Sequence, residues 1–218
     1  MINTHNIDCM EFMRNVPDKY YSLSVVDPPY GSENIIGGYT SGKGGGISSQ
    51  KKYHNELWNQ IAPSKAYFVE LLRVSKKCII WGANHFIENI PNPNSSCWIV
   101  WNKQNGDNSF ADCEIAWTNF ETAVRLFEFK WQGMLQGDMK NKENRIHPTQ
   151  KPVALYKWLL TKYAKQGDKI FDSHGGSMSI AIACHDLNFN LDVCELDTEY
   201  YEQALKRLQA HQLQTKLF

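Results

Sequence analysis

A carboxylate, two prolines and an aromatic ring follow one another directly after the apolar run Leu23–Val26: Asp27, Pro28, Pro29 and Tyr30. The apolar run predicts a β-strand, and open α/β sheets place their active-site crevices at the carboxyl ends of such strands. Because prolines lack a backbone N–H, the segment cannot continue pairing and presents its carbonyls outward. The tetrapeptide therefore predicts hydrogen-bond acceptors beside a stacking surface, suited to a planar group that carries an amine. An ordinary strand-ending turn is the alternative.

A second candidate site joins a predicted strand to a predicted helix, and it reads Asp172, Ser173, His174, Gly175, Gly176, Ser177. The next predicted strand ends in Glu195. Glycines let a ligand approach the backbone, and an acidic residue at that place accepts hydrogen bonds from ribose hydroxyls. The pattern predicts a nucleoside-cofactor site, although the G-x-G-x-x-G fingerprint of dinucleotide sites is absent. A purely structural turn is the alternative.

Two further segments place polar groups at the ends of predicted elements. The segment 147–152 (His-Pro-Thr-Gln-Lys-Pro) precedes a predicted helix, where the Thr149 hydroxyl and the Lys151 ammonium could hold a carboxylate with the free N–H groups. A capped helix start explains the same residues. Asp8 follows the first predicted strand, and it either faces a ligand or caps the next helical turn.

Predicted strands alternate with predicted helices, which indicates an α/β fold. The strands are predicted at 3–7, 23–26, 78–81, 98–101, 114–117, 124–127, 169–171 and 191–194, and the helices at 8–14, 64–76, 152–164, from near 177, and 198–212. No internal repeat or linker is visible. We therefore expect one domain over residues 1–218, with a single mixed sheet and helices on both faces in three layers.

Composition restricts the classes of function. The chain has 218 residues, of which 42% are hydrophobic, enough for one substantial core. Lys and Arg number 23, equal to Asp and Glu, so no global positive field favours non-specific nucleic-acid binding. The six cysteines contain no CxxC pair, which predicts reduced thiols and neither disulfides nor a metal site. The N-terminal residues lack a signal-peptide pattern and no apolar run is of membrane-spanning length, so we expect a cytoplasmic protein.

These motifs together resemble those of S-adenosylmethionine-dependent amino-methyltransferases of the DNA-modifying type. The segment 27–30 matches the family's catalytic motif, and 147–152 and 172–179 match its cofactor motifs. The segment 81–86 (Trp-Gly-Ala-Asn-His-Phe) resembles the family's segment beside the target pocket. The catalytic motif precedes the cofactor turn, as in the permuted β-type order. The resemblance covers nearly the whole chain, and it is closest to compact enzymes encoded by phages and prophages.

The resemblance implies a Rossmann-like methyltransferase fold and transfer of a methyl group to the N6 amine of a flipped adenine in DNA. Asp27 and the Pro28 carbonyl would accept the hydrogen bonds of the amine, in a turn stiffened by Pro29. Tyr30 would stack on the base, and His85 would lie beside it. Neither a covalent intermediate nor a metal is required.

The resemblance also implies S-adenosylmethionine as cofactor. The backbone at Asp172 and Gly176 would hold its methionine half, Glu195 its ribose hydroxyls and Asp8 its adenine amino group. The other matches to the cofactor motifs complete the predicted site, with Thr149 and Lys151 meeting the cofactor carboxylate or supporting the loop: His174, Gly175, Ser177, Thr149 and Lys151.

Two segments are expected to meet DNA. Residues 31–57 predict a long, glycine-rich loop that closes over the flipped nucleotide, with Lys43, Lys51 and Lys52 as candidate contacts. Residues 122–146 are the only room for a target-recognition region, which is small for reading a long site.

The chain departs from the family in the cofactor turn. The family pattern Asp-Pro-Phe-x-Gly-x-Gly-Thr is here Asp-Ser-His-Gly-Gly-Ser-Met-Ser over 172–179, so Met178 stands in place of the second glycine. This replacement leaves the shape of the turn and the affinity for the cofactor open.

Several alternatives of function remain. N4-cytosine methylation is the nearest, although members of that group more often have Ser in place of Asp27. RNA as substrate, or a non-catalytic partner that binds S-adenosylmethionine or DNA, is also possible. A nicotinamide oxidoreductase would leave the segment 27–30 unexplained, and C5-cytosine methylation needs a Pro-Cys pair that the sequence lacks. The oligomeric state is expected to be a monomer or a homodimer.

Overall fold

The computed structural model describes residues 1–31, 61–106, 111–132 and 135–214. The helices within these ranges are α1 (Cys9–Arg14), α2 (Lys65–Val74), α3 (Val153–Tyr163), α4 (Ser179–Asp186) and α5 (Thr198–Leu213). The strands are β1 (Ile2–His5), β2 (Tyr21–Val26), β3 (Ser75–Trp81), β4 (Trp98–Asn102), β5 (Cys113–Thr118), β6 (Arg125–Glu128), β7 (Trp131–Gln132), β8 (Leu135–Gln136), β9 (Lys169–Asp172) and β10 (Asn190–Cys194).

Eight of these strands form one mixed sheet in the order β1-β10-β9-β2-β3-β5-β4-β6. The first five strands in this order are parallel, β5 is antiparallel to β3 and β4, and β6 runs parallel to β4. The predicted α/β fold with a mixed sheet is therefore confirmed. A separate two-stranded hairpin of β7 and β8 was not predicted.

The sheet separates two hydrophobic cores, which makes the three predicted layers. The apolar residues of α3, α4 and α5 pack on one face, where Leu23 and Val25 of β2 also point. The apolar residues of α1 and α2 pack on the other face with Tyr21 and Val26 of the same strand. A strand buried on both faces is typical of a parallel sheet covered by helices.

The strands β9 and β2 lie next to each other at the centre of the sheet, in the register Leu23↔Ile170. From β9 the chain passes through α4 to β10 on one side, and from β2 it passes through α2 to β3 on the other side. Because these connections leave in opposite directions, they open a crevice at the carboxyl ends of the two strands. Asp27 and Asp172, which end these strands, therefore meet at one edge of the sheet.

Some predicted boundaries and regions differ from the structure. Helix α4 begins at Ser179, two residues later than expected, and α3 begins at Val153, one residue later than expected. The region 122–146 contributes β6 to the main sheet and the hairpin β7–β8, so part of it belongs to the fold itself. Among the helices in the described part of the chain, none has the length and apolarity that crossing a membrane requires.

Candidate active site

Asp27 follows β2, and both of its carboxylate oxygens are engaged. The Tyr30 hydroxyl donates to Oδ1 at 2.9 Å, and the Lys151 ammonium lies 2.5 Å from Oδ2. In the described chain no backbone N–H donates to the carbonyl of Pro28. The carboxylate is thus held in one orientation, and a carbonyl that no described backbone N–H engages lies beside it.

Lys151 belongs to a row of alternating charges that the sequence did not indicate. Its ammonium also lies 3.0 Å from Glu114 Oε2, and Glu114 Oε1 lies 2.5 Å from the ammonium of Lys103. Burial lowers the pKa of Lys151, but the two carboxylates together raise it above its ordinary value. Burial opposes ionisation of Glu114 as well, yet the two lysines bring its pKa down to about 2. Lys151 is therefore a stable cation next to Asp27.

Ionisation is less favoured for Asp27 than for Glu114. Both carboxylates share Lys151, but among the described residues only Glu114 has a second lysine, Lys103, beside it. Burial raises the pKa of Asp27, the ammonium of Lys151 opposes the rise, and the negative charge of Glu114 adds to it. Lys151 was expected to meet the cofactor carboxylate or support the loop, whereas the structure directs its ammonium at Asp27 and Glu114.

The ring of Tyr30 stacks on His85, with ring centroids 4.8 Å apart and an angle of 15° between the planes. Gly82 makes this position possible. Its φ of +68° favours glycine, and a Cβ there would come within 2.1 Å of the Tyr30 ring. The segment 81–86 therefore forms the wall against which Tyr30 is placed.

The turn after β9 brings backbone N–H groups close to Glu195. The N–H of Gly176 donates to Glu195 Oε2 at 2.6 Å, and the N–H of Gly175 donates to the carbonyl of Cys194 at 2.7 Å. A Cβ on Gly175 would lie 2.7 Å from Val193, so the close approach requires glycine. Asp172 is 1% exposed, and burial raises its pKa to about 8.

Met178, in place of the second glycine of the family pattern, has a backbone conformation that glycine adopts readily. Its φ of +52° and ψ of +35° are left-handed, a region that a side chain rarely adopts. The side chain is fully buried in the core formed with α3, α4 and α5. Met178 is not among the residues that line the cavity described next.

A cavity of about 280 Å³ lies at this edge of the sheet. Asp27 and Pro29 line it on one side, and the turn 173–177 lines it on another. The remaining lining residues come from the segments after β1, before α3 and after β10 and from the first turns of the helices that follow them: Ile7, Asp8, Cys9, His147, Thr149, Gln150, Lys151, Tyr156, Glu195, Leu196, Asp197 and Tyr200.

The charges of the cavity fit S-adenosylmethionine. Four carboxylates line it, from Asp8, Asp27, Glu195 and Asp197, whereas Lys151 is the one ammonium among the described lining residues. A ligand with a sulfonium, an ammonium and one carboxylate carries a net positive charge, which suits this excess of acidic groups. The two glycines of the turn leave room for its approach.

The other predicted site residues take these positions. Asp8 caps α1 by accepting from the N–H groups of Met10 and Glu11, and it also lines the cavity. Thr149 lines the cavity, with its hydroxyl 3.1 Å from His147 Nδ1. Ser177 lines it too, with its hydroxyl 3.1 Å from that of Ser179.

The predicted loop 31–57, except for Gly31, lies outside the described residues, and so do the candidate DNA contacts Lys43, Lys51 and Lys52.

Sequence reasoning missed Glu114, Asp197 and Tyr200. Glu114 was assigned only to a strand, and its place beside Lys151 depends on the pairing of β5 with β3. Asp197 caps α5, which is the role that its position before a helix would have indicated. None of the three belongs to a motif that could have marked it.

Curated relatives of the chain are type II methyltransferases. M2.DpnII of Streptococcus pneumoniae is 23% identical over 96% of this chain and 90% of its own length. M2.MboI of Moraxella bovis is 22% identical over 94% of this chain and 86% of its own length. M.HpaI of Haemophilus parainfluenzae is 37% identical over a short stretch, 31% of this chain and 22% of that enzyme.

Solved structures share the fold at low sequence identity. The M1.HpyAVI complex with S-adenosylmethionine has a TM-score of 0.59 and 18% identity, and the match covers 95% of this chain and 99% of that one. TTHA0409 of Thermus thermophilus with S-adenosylmethionine scores 0.60 at 14% identity, over 97% and 94% of the two chains. The cytosine-N4-specific PvuII DNA methyltransferase scores 0.61 at 11% identity, over 100% and 88%.

A sequence profile described as DNA methylase (N6_N4_Mtase) matches residues 21–206, which hold both the catalytic and the cofactor motifs. This match covers most of the chain and agrees with the relatives and with the fold. The predicted cofactor is confirmed with it, since the enzymes of this family use S-adenosylmethionine. The chain belongs to the N6/N4 DNA methylase family.

Proposed function

We propose that this chain methylates the N6 amine of adenine in DNA, on a base flipped out of the duplex. The observation that carries the proposal is the position of Asp27, whose carboxylate lines the same cavity as the glycine turn and Glu195. An amine acceptor and a cofactor pocket thus share one crevice. Asp at the first position of the segment 27–30 favours adenine over cytosine.

The chemistry follows from the acceptors at the end of β2. An aromatic exocyclic amine is a poor nucleophile because its lone pair is delocalised into the ring. The Asp27 carboxylate and the Pro28 carbonyl accept its two N–H groups, which favours the tetrahedral nitrogen of the transition state. S-adenosylmethionine, when bound, supplies a methyl group on a sulfonium for in-line displacement.

Lys151 and Tyr30 fix the Asp27 carboxylate for this task. Each engages one of its oxygens, which limits rotation of the side chain while further lone pairs remain for the amine. The adjacent ammonium also opposes the rise that burial causes in the pKa of Asp27. Asp27 therefore acts as an oriented acceptor, and the positioning of amine and methyl group adds to the rate.

The cofactor-binding roles follow the family motifs, and all of the assigned residues except Asp172, which is 1% exposed, line the cavity. Asp172 and the turn from His174 to Ser177 hold the methionine half, Glu195 the ribose hydroxyls and Asp8 the adenine amino group. Thr149 lines the same cavity and supports the turn through His147. Tyr30 and His85 form the stacking surface for the target base.

A transfer assay tests the proposal. The protein is incubated with labelled S-adenosylmethionine and unmethylated genomic DNA, and the digested nucleosides are identified. We expect N6-methyladenine, with loss of at least about a hundredfold in rate for Asp27→Ala. If N4-methylcytosine is found in place of N6-methyladenine, the substrate base is cytosine. No transfer to DNA, with Asp27→Ala equal to wild type, would favour a binding partner without catalysis, and a parallel assay on RNA tests that substrate.

A further inference from the structure

Ser173 and His174, which stand where the family pattern has Pro and Phe, form a buried chain of hydrogen bonds with Tyr67 of α2. The Tyr67 hydroxyl lies 2.6 Å from Ser173 Oγ, and Ser173 Oγ lies 2.8 Å from His174 Nδ1. Tyr67 is 4% exposed and Ser173 is 3% exposed, so the hydrogen bond between them is shielded from water, while His174 is partly exposed. The Tyr67 ring also packs edge-on against His174, with centroids 5.3 Å apart.

The direction of this chain follows from its buried end. Among the described residues, Ser173 is the one hydrogen-bond partner of the Tyr67 hydroxyl. Burial raises the pKa of Tyr67 well above its ordinary value, so the hydroxyl keeps its proton. The hydroxyl therefore donates a hydrogen bond to Ser173 Oγ. The Ser173 hydroxyl in turn donates to His174 Nδ1.

His174 is thereby fixed as a donor at its other nitrogen. Burial lowers its pKa to about 4, so the ring is neutral at pH 7. A neutral imidazole that accepts at Nδ1 carries its proton on Nε2. His174 lines the cavity, and no residue in the described ranges is hydrogen-bonded to Nε2.

The cavity has few groups that could receive a carboxylate. Its described lining has four carboxylates, and its one ammonium, that of Lys151, is engaged by Asp27 and Glu114. The side-chain hydroxyls of Thr149 and Ser177 are occupied by His147 and Ser179. His174 adds to this lining an N–H donor, on Nε2, that no described residue engages.

We propose that Tyr67 and Ser173 position His174 so that its Nε2–H donates to the carboxylate of the methionyl half of S-adenosylmethionine. The inference rests on the proposed function, because it concerns the ligand of the same cavity. His174 is the binding residue, and Tyr67 and Ser173 act only through it. A polar, oriented donor thus replaces the phenyl ring of the family turn.

Calorimetric binding of two ligands tests the contact. S-adenosylhomocysteine carries the carboxylate, whereas 5′-methylthioadenosine lacks it and keeps the adenosine half. For His174→Phe we expect affinity for S-adenosylhomocysteine to fall about tenfold and affinity for 5′-methylthioadenosine to change less than about twofold. His174→Gln, which keeps an N–H donor, should recover part of the loss. Equal loss for both ligands, or no loss, overturns the proposal.

The positioning role is tested by the tautomer of His174. Nitrogen-15 NMR of wild type should show the proton on Nε2. Tyr67→Phe removes the proton that orients Ser173, so the two tautomers should mix and affinity for S-adenosylhomocysteine should fall several-fold. Tyr201→Phe is the matched control, because its hydroxyl bonds Thr4 outside the cavity lining. An Nδ1–H tautomer in wild type, or an unchanged tautomer and affinity in Tyr67→Phe, overturns the proposal.

The two proposals fail separately. A protein that binds S-adenosylhomocysteine through His174 but methylates no adenine contradicts the proposed function and supports this contact. A protein that methylates adenine while His174→Phe binds both ligands normally contradicts only the contact.

Discussion

Asp172 makes folding stability depend on pH. Burial raises its pKa to about 8 in the folded chain, whereas an unfolded Asp titrates near pH 3.9. Its contribution is fully present below about pH 4 and is lost as pH rises through 8, because the unfolded chain releases the proton first. Wild type should therefore lose up to roughly 4 kcal/mol relative to Asp172→Asn between pH 5 and pH 8.

Urea unfolding of both proteins without ligand at several pH values measures this difference. Asn keeps an oxygen that can accept from the N–H of His174, as Asp172 Oδ1 does at 3.0 Å. Most other titrating groups are common to the two proteins and cancel in the comparison. A difference that stays constant from pH 5 to pH 8 contradicts the protonated state of Asp172.

Gly82 decides where the Tyr30 ring lies. Gly82→Ala would place a methyl group within 2.1 Å of that ring, so Tyr30 must leave its stack on His85. We expect methyl transfer to fall at least about tenfold, while affinity for S-adenosylhomocysteine changes less than about threefold. Gly106→Ala is the control, because its φ is also positive (+73°) but no atom lies within 4 Å of the added carbon. Equal effects of the two substitutions on transfer would contradict the steric role.

For single residues, the sequence predicted that the acidic residues at the ends of the strands lie at one edge of the sheet. It did not predict the ion pairs of Lys151. The positions of Asp27, Asp172 and Glu195 followed from parallel strands that end at one edge. The partners of Lys151 could not be predicted, because Glu114 reaches it only through an antiparallel pairing of β5 with β3. Nothing in the residues around Glu114 specifies that pairing.

In the turn between β9 and α4, Met178 combines an unfavourable backbone conformation with a side chain that packs in the core. Met178 has left-handed backbone angles, which cost a residue with a Cβ about 1 kcal/mol, while its side chain fills the core. Met178→Gly and Met178→Ala should both destabilise by about 2–5 kcal/mol through the cavity. Glycine should nevertheless be the more stable of the two by about 1 kcal/mol.

Met13 provides the matched control for this comparison. It is equally buried but lies within α1, where alanine is favoured over glycine by about 1 kcal/mol. Urea unfolding should therefore show that the alanine variant is the more stable of the two at position 13, whereas the glycine variant is the more stable at position 178. The same order at both positions would mean that the left-handed angles of Met178 carry no energetic cost.

Elements with a strong local pattern were predicted, and the two-residue strands of the hairpin were not. The apolar period of α2 and the buried runs of β2 and β9 matched the structure within a few residues. The hairpin β7–β8 has two residues in each strand, too few for any period to show. The start of α4 was misplaced because Met178 continues the turn with left-handed angles that a methionine does not signal.

At the scale of the whole molecule, Met1 and the end of α5 lie at the same edge of the sheet. Strand β1 begins at Ile2 and pairs parallel with β10, and the Met1 carbonyl accepts from the N–H of Leu191. Helix α5 begins beyond the carboxyl end of β10 and runs back over 16 residues, and His211 near its end is hydrogen-bonded to Asp186 at the end of α4. A glycine-rich linker from Gln214 to Met1 should therefore disturb neither the sheet nor the cavity, which lies at the opposite edge.

A circular permutant opened after Lys140 should fold and bind S-adenosylhomocysteine within about threefold of the wild-type affinity. Residues 137–142 are exposed, so new ends there expose little core, and loop-tip openings of this kind are widely tolerated. The permutant would read the cofactor turn before the segment 27–30, reversing the order of the motifs while keeping every strand neighbour. A permutant opened after Leu159 in α3, which is fully buried, should fail to fold. If the Lys140 permutant lost its cooperative thermal transition in circular dichroism, chain order and not strand adjacency would determine this fold.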